Sequence, residues 1–104
     1  MIHAVFYKNR SDYIGFTISG HSGYSESGSD IVCAAVSAVA LHTSEMLLSD
    51  LKLVKEIEQG VGGYLRVELK RTDEQSNMLI MALERTLSEI RKEYSGYLSV
   101  EVNK

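Results

Sequence analysis

Hydrophobic residues recur at helical spacing in two stretches of this sequence, Ile31 to Leu47 and Leu79 to Tyr94, and a pair of short alternating segments precedes each. Two helices can cover one face of a sheet, so the pattern predicts a two-layer α+β fold of order β-β-α-β-β-α-β. Its mixed sheet would carry both helices on one face and leave the other open. Ile2 to Lys8 reads as a strand, and Asn9-Arg10-Ser11-Asp12 turns it into Tyr13 to Ser19, with Ile14, Phe16 and Ile18 on one face. Gly20 to Ser29 has no periodicity and is, by composition, a mobile loop.

Asp30 then has the chemistry of a helix N-cap, and Val32, Val36, Val39, Ala40 and Leu47 form one stripe behind it. The segment from Ile31 to Leu41 is nearly apolar all round, which predicts a deeply buried helix start. Leu51 to Glu58 and Tyr64 to Lys70 read as a second hairpin turning at the glycine-rich residues 60–63. Thr72 and Gln75 have capping-box spacing and open the second helix, and Gly96 stops it. Tyr97 to Val102 is the last strand, with Leu98, Val100 and Val102 inward. The open face would then hold Tyr7, Tyr13, Tyr64 and Tyr97 among Thr17, Arg66 and Glu68, as a solvated surface or as a moderately polar interface.

Composition narrows the function classes. A chain of 104 residues predicts one domain, residues 1–104. No apolar run approaches the roughly 18 residues of a membrane span, and the N-terminus lacks a basic head and cleavage site, so neither membrane insertion nor export is expected. One cysteine excludes an internal disulfide and suits a reducing cytoplasm. A net charge of −3 argues against direct nucleic-acid binding and is compatible with a basic protein partner. Paired C-x-x-C or H-x-x-x-H spacings are missing, so no metal site is expected. The segment 60–63 lacks the lysine and following helix of a phosphate loop, and no cofactor is expected.

Reactive chemistry concentrates around Cys33. It is the third residue after the Asp30 cap, in the first helical turn, where open amides and the positive end of the helix dipole favour a thiolate. Those amides, of Cys33 and Ala34, are also candidates to hold an oxyanion. The competing reading is a small buried hydrophobe in an apolar helix. Of the three histidines, His42 lies about 180° round the helix from Cys33 at roughly 100° per residue, and His3 sits within a strand. His21 leads the loop, flanked by Gly20 and Gly23, and can fold back to the thiol as a general base. Asp30 and Ser37 share the helical face of Cys33. Asp30 has the stronger claim as a cap, and Ser37 either contacts the site or bonds to the preceding turn.

The run Gly20-His21-Ser22-Gly23-Tyr24-Ser25-Glu26-Ser27-Gly28-Ser29-Asp30-Ile31-Val32-Cys33-Ala34-Ala35-Val36-Ser37 resembles the signature of the ribosomal-processing cysteine protease Prp family. Ser22 and Ser25 stand where the family pattern has alanines. The resemblance implies a cysteine endopeptidase that removes the N-terminal extension of large-subunit ribosomal protein number twenty-seven, cutting after an aromatic residue. His21 and Cys33 match the family's catalytic pair, and Asp30 and Ser37 its further polar positions. It also implies a homodimer whose loop, here with Gly20, Gly23 and Tyr24, lies over the substrate. A non-enzymatic ribosome-associated binding module is the alternative.

Overall fold

The computed structural model describes residues 1–21, 23, 25, 30–60 and 63–104. They form β1 (Ile2–Asn9), β2 (Asp12–Ser19), α1 (Ile31–Glu45), β3 (Val54–Gly60), β4 (Tyr64–Leu69), α2 (Glu74–Glu93) and β5 (Leu98–Asn103). This is the predicted order. The sheet runs β3-β4-β2-β1-β5, with β1 and β5 parallel and the other neighbours antiparallel. One continuous core joins Phe6, Phe16, Val67 and Leu98 of the sheet to Val32, Val36 and Ala40 of α1 and Ile80, Leu83 and Leu87 of α2. Both helices therefore lie on the same face.

Four local expectations are corrected. The first concerns β2, whose alternation is broken by a bulge. Tyr7 pairs with Gly15 and Lys8 with Tyr13, so Ile14 is the extra residue. The bulge turns Ile14 outward and sends Tyr13 into the core, edge-on to Phe6 with ring centroids 6.3 Å apart. Tyr13 thus leaves the open face, and Tyr97 is half-buried against the core. Tyr7 stays exposed there, its hydroxyl 3.1 Å from Thr17 Oγ1, beside an Arg66–Glu56 ion pair of 2.8 Å.

The second correction is the cap of α2. Asp73, one residue after Thr72, accepts from Ser76 N–H at 2.8 Å, and Ser76 Oγ accepts from Asp73 N–H at 2.9 Å. This is a complete capping box, shifted by one position.

Third, α1 runs on through a π-helical turn, Met46–Asp50, closed by the bond from Leu51 N–H to Met46 O at 2.9 Å. β3 consequently starts at Val54 and not at Leu51. The continuous helical stretch 31–50 contains an 18-residue window of mean hydropathy 1.7 and is long and apolar enough, by length and composition, to cross a membrane. Its Val32, Val36, Ala40 and Leu47 stripe packs into the core, and a third of the window is buried.

Fourth, the start of α1 is not deeply buried: Ile31 is 51% exposed, and Ala34, Ala35, Ser37 and Ala38 are exposed too. A single sheet face cannot cover a helix all round.

The bulge also ties the first hairpin to α2. Tyr13 N–H donates to Asn77 Oδ1 at 2.8 Å, Asn77 Nδ2 donates to Asp12 Oδ1 at 2.9 Å, and the Tyr13 hydroxyl donates to Glu84. Burial, then the hydrogen bond and charge of Glu84, push the Tyr13 phenol up to about 12. A phenol raised above its ordinary value of about 10 supports the fold fully below that pH, and the support is lost as pH rises through about 12. Urea unfolding between pH 8 and 12 should show this decline, and Tyr13→Phe should flatten it. The same substitution should cost about 1–2 kcal/mol at neutral pH, because it leaves the half-buried Glu84 without its donor.

Candidate active site

Asp30 has extended backbone (φ −78°, ψ 105°), and one carboxylate oxygen accepts from Val32 N–H at 3.0 Å and from Cys33 N–H at 3.1 Å. Its carbonyl accepts Ala34 N–H at 3.1 Å. The cap role read from sequence is therefore met, and Asp30 is buried. One consequence reverses an expectation. The first-turn amides of Cys33 and Ala34, read as oxyanion donors, are already bonded to Asp30 and are not spare donors in this state.

Cys33 is half-buried on the side of α1 that faces an open cleft of about 620 Å³. His21, Gly20, Gly23, Asp30 and Ser37 line the same cleft, so the fold gathers every described residue of the predicted site into one place. Tyr24 and most of the loop expected to lie over the site fall outside the described residues. Ser37 Oγ makes no hydrogen bond to another described residue, unlike Thr43 and Ser44, which bond back to the carbonyls of Val39 and Ala40. His42 is exposed and does not line the cleft. His3 is bonded through Nδ1 to Ser99 Oγ at 2.9 Å and alternates with the buried Ile2 and Ala4, so it lies on the opposite face of the sheet.

The second hairpin supplies a wall that the sequence reading assigned only to a turn. Gly20 N–H donates to Gly63 O at 3.0 Å, extending the β2–β4 ladder one step past the Ser19–Tyr64 pair. Both glycines have positive φ, +94° and +79°. A Cβ on Gly63 would stand 2.7 Å from Gly20 O and 3.5 Å from the His21 ring. The turn therefore packs directly on the strand end that presents His21. Gly60, Gln59, Tyr64 and Leu65 complete that side. The signal available in the sequence was the glycine cluster. What it lacked was the pairing of β4 with β2, which brings that cluster to the site.

A thiol at a helix start and an imidazole on an adjoining strand exit, facing one cleft, form the side-chain set of a cysteine peptidase. A family model described as cysteine protease Prp matches residues 1–99, and this chain is a cysteine protease. More particularly, it belongs to the cysteine protease Prp family.

Solved structures agree on the fold. The ribosomal processing protease Prp from S. aureus, in complex with a covalently linked product peptide, is 21% identical with a TM-score of 0.88, over 99% of this chain and 100% of that one. The S. aureus Prp in complex with a substrate peptide gives 21% and 0.83, again over 99% and 100%. A protein from Streptococcus mutans is 26% identical with a TM-score of 0.82, over 98% of this chain and 93% of that one. No curated protein matches the chain.

The Gly20–Gly63 contact leads to a direct test. Gly63→Ala should force the hairpin turn away from Gly20, costing about 1–2 kcal/mol in urea unfolding. Peptidase activity should fall several-fold, because the wall against His21 moves. Gly60→Ala has 3.4 Å of room against Tyr64 and should do much less to either measurement.

Proposed function

We propose that this protease removes the N-terminal extension of large-subunit ribosomal protein number twenty-seven, with Cys33 as nucleophile and His21 as base. The observation that carries the residue roles is that His21 and Cys33, on separate elements, line one cleft from which His3 and His42 are absent. The substrate is supported by the family and by the S. aureus relative, a ribosomal processing protease solved with a substrate peptide and with a covalently linked product peptide. A chain of net charge −3 also suits a basic ribosomal protein. The setting is the cytoplasm, where that protein is made, and the working form is a homodimer.

The chemistry is acyl transfer. His21 takes the thiol proton, and the Cys33 thiolate attacks the scissile carbonyl carbon. The tetrahedral intermediate collapses to a thioester as His21 gives the proton to the leaving amine. Water, deprotonated by His21, then hydrolyses the thioester, releases the extension as a carboxylate and restores Cys33. Asp30 is a positioning residue: its carboxylate fixes the first turn and hence the direction of the Cys33 side chain. Ser37, one turn further on, offers a hydroxyl to the bound peptide.

Incubation with the unprocessed ribosomal protein, followed by mass analysis, should give one cut after an aromatic residue of the extension. Cys33→Ser should fold normally and lose nearly all cleavage. His21→Ala should lower kcat by at least about a hundredfold, whereas His42→Ala should stay within a factor of about two. An active Cys33→Ser protein would remove the nucleophile assignment, and an inactive but folded His42→Ala protein would move the base.

A further inference from the structure

A second recess lies beside the cleft. It has a volume of about 270 Å³ and sits between α1 and the edge strand β3. Leu41, Leu48 and Ile57 line it together with Ser44, Glu45 and Gln59, and the three aliphatic residues are well exposed for their size, at 45%, 40% and 38%. Ile57 and Gln59 pair with the inward residues Val67 and Leu65, so they face the helix side of the sheet, yet both remain exposed. Leu41 and Gln59 line both spaces, which makes the recess a continuation of the cleft that holds Cys33.

We infer that this recess is a distal specificity subsite, which receives an apolar side chain of the extended peptide being cut. The inference rests on the proteolytic reading above. Its occupant follows from continuity: a peptide leaving Cys33 along α1 meets Leu41 first and then Leu48 and Ile57. The open rim of β3 supports the same path. Its free edge can pair with an extended chain, and alternate side chains of that chain would then fall on the side of Ile57. A space this small accommodates side chains and not a second helix.

Spacing along the peptide follows from two rises. Leu41 and Leu48 lie about 12 and 22 Å from Cys33 along a helix that rises 1.5 Å per residue. An extended peptide advances about 3.3 Å per residue, so the recess selects an apolar residue about four to seven positions from the scissile bond.

The test compares two synthetic peptides, one reproducing the ribosomal-protein extension and one with its apolar residues four to seven positions from the cut replaced by serine. For the wild-type enzyme the ratio of their kcat/KM values should be about tenfold or more in favour of the apolar peptide. In the double variant Leu48→Gln, Ile57→Gln the ratio should fall toward one. Cleavage of both peptides at equal rates by the wild type overturns the subsite, as does a folded double variant that keeps the full ratio. Equal loss on both peptides, with a change from dimer to monomer in sedimentation, also overturns it, since a second copy would then cover the recess. Cleavage of neither peptide by the wild type overturns the processing reading itself, and the subsite with it. The wild-type ratio decides the question should the double variant not fold.

Discussion

Five strands here must be covered by two helices, and the pair is about one strand too narrow. Strands about 4.8 Å apart make a sheet roughly 24 Å wide, whereas two helices packed about 10 Å apart shield roughly 20 Å. α2 lies toward β5 and β2, and α1 beside it. The edge strand β3 is consequently left almost wholly exposed. The cleft beside Cys33 and the recess along Leu41, Leu48 and Ile57 are both products of this mismatch. A third helix would bury the apolar strip and close the path of a peptide. The uncovered edge is thus a structural cost at the place where the proposed extended substrate would need access.

Within that opening, the site is held by a backbone bond on one side and a side-chain cap on the other. The bond from Gly20 to Gly63 ends the β2–β4 ladder at the exit that carries His21. The bonds from Val32 and Cys33 to the Asp30 carboxylate set the first turn that carries the thiol. Each fixes the backbone at or next to one member of the proposed pair, the kind of support a catalytic constellation needs to keep its geometry. Asp30 satisfies the helix start so fully that the Cys33 and Ala34 amides have no spare hydrogen to offer. In the proposed reaction, stabilisation of a developing oxyanion would therefore depend on donors other than these two amides.

The helix spacing of residues 31–47 and 79–94, the paired strands before each and the inward Leu98, Val100 and Val102 were legible as local periodicity, and the two-layer architecture followed from counting helices. The Asp30 cap was legible because its bonds reach only two and three residues along the chain. His21 and Cys33 stood out by residue type and placement, and the family motif around them is contiguous. The bulge at Ile14 was hidden, because a single inserted residue leaves the alternation plausible while reversing which of Tyr13 and Ile14 faces inward. The box on Asp73 and Ser76 was hidden by an equally spaced neighbour, Thr72 and Gln75. Burial of the α1 start was overestimated because an all-apolar helix reads alike whether one of its sides is covered or all of them.

By itself, then, the sequence determined the order of the elements, the Asp30 cap and the candidate pair His21 and Cys33, since each depends on residues close together in the chain. Tertiary structure alone decided that the turn at Gly63 stands against His21, that Leu41 and Ile57 flank one recess, and that β3 lies bare. Those facts depend on strand order and on the width of the helical layer. Both emerge only when segments forty or more residues apart compete for the same face of the sheet.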